Sequence, residues 1–171
     1  LGVQEEAHRQ GMRTSVTMMY GMGESNADRI EHLLKIRDLQ ARTGGFTAFI
    51  CWPLQPEGTP MFDGTAKTDA VTYLRTLAMG RIICRNIPNM QSSWVTMGHK
   101  VGQVALRFGA NDYGSLMMEE NVVSAAGTTF RTTIAEIERN VSDAGFSPRR
   151  RRQDYSLVPL EMHFSKGRVK L

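Results

Sequence analysis

RTSVTMMYGMGESNADR, residues Arg13 to Arg29, reads as a strand, a glycine turn and the start of a capped helix. Thr14 to Tyr20 is rich in β-branched and bulky apolar residues, which suit a pleated strand. Gly21 and Gly23 bracket the turn, Ser25 is a good N-cap, and Asp28 stands where a capping-box acid belongs. Ile30, Leu33, Leu34 and Leu39 continue as a helical apolar stripe. A turn of this kind can present backbone N–H groups to an anionic or polar ligand. Taken locally, the plainer reading is favoured: a tight turn that needs its glycines for backbone reasons.

The rest of the chain repeats this alternation. The first helix runs from Asn26 to Gln40 and stops at Thr43-Gly44-Gly45. FTAFICW, Phe46 to Trp52, is a nearly continuous apolar run, the pattern of a strand buried on both faces of a parallel sheet, and Pro53 ends it. A loop from Pro53 to Ala66 leads to a helix over about Thr68 to Arg85 with Val71, Leu74, Leu77 and Ala78 inward. A third strand is expected over Asn89 to Thr96, with a helix from His99 to Phe108 burying Val101, Val104, Ala105 and Phe108. A short fourth strand falls near Ala110 to Ser115, a helix over Thr133 to Ala144, and a last extended piece over Gln153 to Leu160. Four such units imply an α/β fold with parallel strands and right-handed crossovers. Patterning leaves an open sheet and half of a (β/α)₈ barrel as alternatives.

Composition bounds the rest. With 171 residues, 41% apolar and 22% charged, the chain has the make-up of one globular domain, and no run approaches a membrane span. The expected organisation is one domain over 1–160 and a basic tail over 161–171. The polar N-terminus, LGVQEEAHRQG, resembles the end of an amphipathic helix rather than a signal peptide, and its Leu1 suggests that the true start lies upstream. The net charge of +4 gathers at Arg149 to Arg152, Lys166, Arg168 and Lys170. These read as a solvated loop and tail rather than a nucleic-acid surface, because no base-reading helix or aromatic platform accompanies them. Cys51 and Cys84 lack metal spacing and read as reduced cytoplasmic thiols, and no two histidines pair at ligand spacing.

In either architecture the carboxyl ends of the strands carry the chemistry. They hold Tyr20 to Glu24, Trp52 to Pro56, Gln91 to Trp94 and Asn111 to Gly114, a polar and aromatic set suited to a planar, hydrogen-bonding organic ligand. Each has a plainer role. Trp52 and Trp94 read first as core fillers, Asp112 as a turn cap, and Glu24 equally as a cap on a turn amide. Glu119 and Glu120 fit an exposed helix start, and Met18, Met19, Met22, Met117 and Met118 fit either a pocket or a core. No nucleophile–base pair stands out.

Several stretches carry a family resemblance: TMMYGMGES, DRIEHLLKIRDLQ, TGGFTAFICWPLQPEGT, NIPNMQSSWVTMGHKVGQVALRFGANDYGS and MEENVVSAAG. Over Ala7 to Val158 the chain resembles the radical S-adenosylmethionine enzymes of the futalosine route to menaquinone and their deazaflavin-forming relatives. The Trp52-Pro53-Leu54-Gln55-Pro56 stretch resembles the dehypoxanthine futalosine cyclase branch more than the aminofutalosine synthase or deazaflavin synthase branches. The resemblance implies a TIM-type barrel with S-adenosylmethionine on a four-iron–four-sulfur cluster in its mouth, acting on a futalosine derivative. It also implies that Tyr20, Gly21, Gly23 and Glu24 lie along the cofactor, and that Trp52, Gln55, Gln91, Ser92, Asn111 and Asp112 line the substrate side. It assigns no acid or base.

The chain departs from the family in two ways. The CxxxCxxC loop that would hold the cluster is absent, and Met22 stands where most relatives carry a histidine. The expectation is therefore the C-terminal half of a radical cyclase, inactive by itself, whose partner is the missing N-terminal half of the barrel. The alternatives are a fragment of an aminofutalosine synthase or deazaflavin synthase, or a non-catalytic half-barrel that binds a nucleotide-like ligand.

Overall fold

A computed structural model describes residues 1–57, 67–116 and 131–159. The described elements are, in chain order, α1 (Gly2–Arg9), β1 (Thr14–Tyr20), α2 (Asn26–Thr43), β2 (Phe46–Pro53), α3 (Ala70–Ile83), β3 (Asn89–Gln91), α4 (Trp94–Ala105) and α5 (Ile134–Asp143). The strands form one parallel sheet in the order β1-β2-β3. A parallel step needs a crossover, which α2 and α3 supply.

The register sorts the side chains onto two faces. Val16 pairs with Phe49, Met18 with Cys51 and Tyr20 with Pro53, and all of these are buried under the helices. Thr17 opposite Ile50, and Met19 opposite Trp52, point the other way. On that side Met19 is 38% exposed, while Ile50 and Trp52 are only half-buried. The expectation that β2 is buried on both faces therefore needs correction: only its helix face is fully covered.

Packing decides which helical faces turn inward. The α2 boundary is set as its sequence suggests. Ser25 and Asp28 form a reciprocal capping box, and Gly44 closes the helix at φ 62°. Leu33, Ile36 and Leu39 are the residues it buries, whereas Ile30 is exposed. On α3 the inward face is Tyr73, Thr76, Leu77 and Gly80, and Val71 is 58% exposed, a rotation from the expected face. Gly80 accounts for it: a Cβ there would stand 2.9 Å from the Phe49 ring, so the bare backbone seats that buried ring of β2. Large buried side chains such as Phe46, Phe49, Tyr73, Leu33 and Leu77 each contribute about 1.5–3 kcal/mol.

The third unit differs most from expectation. The strand ends at Gln91, not Thr96, and the helix begins at Trp94, not His99. Ser93 supplies carbonyl bonds to Thr96 N and Met97 N, which turn the chain into a helix at once. Gly98, at φ 80° and ψ 167°, breaks α4 into two parts. The expected stripe after it is only partly buried: Ala105 is buried, but Val104 is exposed, as is Phe108 beyond the helix end at Ala105. The fourth strand reduces to one parallel bridge, Gln91 with Asp112. It is held by Asn111 N and Asp112 N to Met90 O and by Ser92 N to Asp112 O. The last extended piece folds on itself through an antiparallel bridge between Arg151 and Leu157 and does not join the sheet. Glu119, Glu120, Met117, Met118 and the 161–171 tail lie outside the described residues.

Candidate functional site

The glycine turn after β1 is bonded internally. Gly21 N–H donates to both oxygens of Glu24 (2.8 and 3.0 Å), and Met22 N–H donates to Glu24 Oε2 at 2.8 Å. Arg29 Nε donates to Glu24 Oε1 at 2.8 Å, and its Nη2 lies 2.7 Å from the same oxygen. Burial works to raise the Glu24 carboxyl, but the two turn amides and Arg29 outweigh it, so the group titrates below its ordinary value. Glu24 thus does what its plainer reading says, and the two amides point at a side chain of the same loop. Gly23, at φ 102°, has nothing within 4 Å of where a Cβ would be, and its flank is open to a ligand. Met22 is 47% exposed beside it.

Beyond the turn, Leu54 N donates to Tyr20 O at 2.7 Å and ties the end of β2 to that of β1. Gln55 is buried, its amide donating to the carbonyls of Pro53 and Leu54. Trp52 lies half-buried beside Met19 on the uncovered face, and Gln91 stands on the same face, paired with Ile50. Ser92 is turned inward, its hydroxyl on Tyr113 O at 3.1 Å. Asn111 serves the backbone: its Oδ1 accepts from Met90 N (2.8 Å) and Arg81 Nη2 (2.9 Å), and its Nδ2 donates to Pro88 O. Asp112 is a turn cap and more. Its Oδ1 accepts from Gly114 N, and its Oδ2 from Arg151 Nε and Nη2 at 3.1 and 2.7 Å. The side chains that remain available toward the open face are therefore Trp52 on β2 and Gln91 on β3.

Sequence reasoning passed over four residues here. Arg29 holds Glu24 and lies over the Tyr20 ring at 4.6 Å. His99 stacks on Trp94 and reaches Tyr113 Oη at 3.2 Å. Tyr113 is itself buried and also accepts from Asn140 Nδ2 at 3.1 Å. Arg151, expected in a solvated loop, is half-buried over Tyr155 and paired with Asp112. The available signal was a basic residue one turn into α2, and a histidine directly after a glycine in an apolar helix.

The two thiols are unlike metal ligands. Cys51 is fully buried on the helix face, and burial pushes its thiol up to about 12. Cys84 donates to Leu33 O, and burial pushes it to about 11. Among the described residues no group of His, Cys, Asp or Glu could hold a metal ion, and no helix is long and apolar enough to cross a membrane.

Parallel strands crossed over by helices, with polar groups at their carboxyl ends, define an α/β chain whose candidate site residues line one rim of the sheet. The profile of the family described as CofH/MqnC C-terminal region matches residues 43–164, and the chain belongs to that family. It is 47% identical to the cyclic dehypoxanthine futalosine synthase of Halalkalibacterium halodurans over 86% of this chain and 40% of that protein. It is 45% identical to the synthase of that name from Streptomyces coelicolor, over 91% and 39%. It is 37% identical to 5-amino-6-(D-ribitylamino)uracil–L-tyrosine 4-hydroxyphenyl transferase 1 of Methanosarcina acetivorans, over 92% and 44%. The chain spans about two-fifths of the length of these relatives.

Proposed function

We propose that this chain is the C-terminal part of a radical S-adenosylmethionine cyclase that converts dehypoxanthine futalosine to its cyclic form in menaquinone synthesis. The observation that carries the reading is the alignment of the Tyr20–Glu24 turn, Trp52, Gln91 and Asp112 at the carboxyl ends of adjacent parallel strands. The 47% identity to a protein of that activity supports the choice of substrate. The uncovered face with Thr17, Met19, Ile50 and Trp52 suits the lumen of a barrel whose other half comes from an N-terminal partner region. The 1–160 region then acts as one barrel-forming unit with 161–171 as its basic tail, in a cytoplasmic enzyme.

The iron–sulfur cluster does not fit the residues described here. Cys51 and Cys84 are buried on the wrong face, so its thiolates would have to come from outside this chain. S-adenosylmethionine fits better, because the Gly23 flank is open where a nucleoside could approach the backbone. Bound there, it would supply the radical chemistry. Of the four residues expected along it, only Gly23 would offer it open backbone. Tyr20 is buried under the helices and Gly21 donates into Glu24, so Tyr20, Gly21 and Glu24 would support it by fixing the turn. Trp52 would offer an apolar platform to the planar substrate and Gln91 a hydrogen-bonding amide. Ser92, Gln55, Asn111 and Asp112 would set the rim through backbone and ion-pair contacts.

The test is turnover of the full-length gene product, reduced and supplied with S-adenosylmethionine, on dehypoxanthine futalosine. A cyclised product is expected, and its absence would sink the reading. The transferase relatives keep a second reading open, and 5-amino-6-(D-ribitylamino)uracil with tyrosine is the substrate pair for that arm.

A further inference from the structure

We propose that Arg29 is a positioning residue that shapes the glycine turn through Glu24, and that the turn carries its own internal anion in place of an external one. This rests on the reading of the turn as nucleoside-facing. Gly21 and Met22 present two consecutive N–H groups, the arrangement that elsewhere cradles a phosphate or carboxylate. Here both are filled by one side chain three residues away, and both of its oxygens are in use.

That side chain is only 21% exposed, and a carboxylate so placed needs a compensating charge. Arg29, 11% exposed, is the cation beside it. The guanidinium is fixed from two further sides and by its anchorage on α2. Its Nη1 donates to Thr76 Oγ1 of α3 at 3.3 Å, its plane lies over Tyr20 of β1, and its backbone sits in the first turns of α2. One arginine thus links three elements to the carboxylate that sets the turn. The external face of the turn is left to the Gly23 flank, which offers bare backbone and no free cradle, and so suits a neutral ring or a cationic group rather than a phosphate.

Amide hydrogen exchange on the 171-residue chain tests this without any cofactor. The variants are R29M, R29K, E24Q and E24Q/R29M, with the Phe46 amide, bonded to Gln40 Oε1, as reference for the core. R29M is expected to speed exchange at Gly21 and Met22 about tenfold relative to Phe46, and R29K by less. In the E24Q background the same replacement should add less than about twofold, because Arg29 acts through the carboxylate. Unchanged exchange in R29M, or an equal increase with and without Glu24, overturns the proposal. If R29M also exposes Phe46, R29K and E24Q/R29K are held to the same criterion. In the full-length protein, R29K should raise the KM for S-adenosylmethionine more than it lowers kcat. A flat KM beside a positive exchange result would overturn the nucleoside-facing reading of the turn while leaving the positioning role of Arg29 intact.

Discussion

The imidazole of His99 lies flat on the indole of Trp94, with ring centroids 5.1 Å apart and planes 14° from parallel. The two residues are five apart on one helix, a spacing at which a regular helix would not stack them. Gly98 makes it possible by leaving the helical conformation between them. The Arg131 carbonyl can only accept, so His99 Nε2 carries the proton of their 2.8 Å bond, and Nδ1 is left to accept from Tyr113. Replacing His99 by Ala removes the stack and both bonds and should cost about 2 kcal/mol. Gly98→Ala, at a backbone conformation nearly restricted to glycine, should cost about 1–3 kcal/mol. Urea unfolding followed by tryptophan fluorescence checks both, and unchanged midpoints would refute the account.

Glu24 makes stability depend on acid. Its carboxyl titrates lower in the folded chain than its ordinary value of 4.5. The folded state therefore binds fewer protons than the unfolded one in that range. Its contribution is present above about 4.5 and is lost as pH falls through the folded-state value. The stability difference between the native chain and E24Q should accordingly shrink as the pH falls below about 4.5. A difference that stays constant would contradict it.

Both thiols should be silent in the native protein. Cys51 and Cys84 are buried, and burial holds both in the protonated form at neutral pH. A thiol-specific reagent at about pH 8 should label neither until denaturant is added, after which both should react. Rapid native labelling of either would place it elsewhere than under the helices.

Arg151 and Asp112 tie the C-terminal hairpin to the end of the fourth unit. The pair is largely desolvated, at 17% and 9% exposure, and Arg151 also covers the Tyr155 ring at 4.1 Å. Burial works to lower the Arg151 guanidinium, and Asp112 outweighs it. R151M should cost about 1.5–3 kcal/mol and open Arg149, Arg150 and Arg152 to trypsin. Equal cleavage rates in R151M and the native chain would show that the hairpin is held by other contacts.

The sequence by itself determined the elements that local chemistry controls. β1 begins and ends with its run of β-branched and bulky apolar residues, and α2 is bounded by Ser25, Asp28 and Gly44 because caps act within one turn. Glu24 as a cap on turn amides was also legible, since its partners are two and three residues away. Tertiary structure decided what depends on distant partners. The inward face of α3 is set by Phe49 against Gly80, and the roles of Arg29, His99 and Arg151 are set by Thr76, Arg131 and Asp112. Asn111, placed by its position at a site, is drawn into bonding β3 instead. A periodic pattern records how apolar a face is, whereas the partner across a buried ion pair or ring stack is chosen only when the chain brings remote segments within a few ångströms.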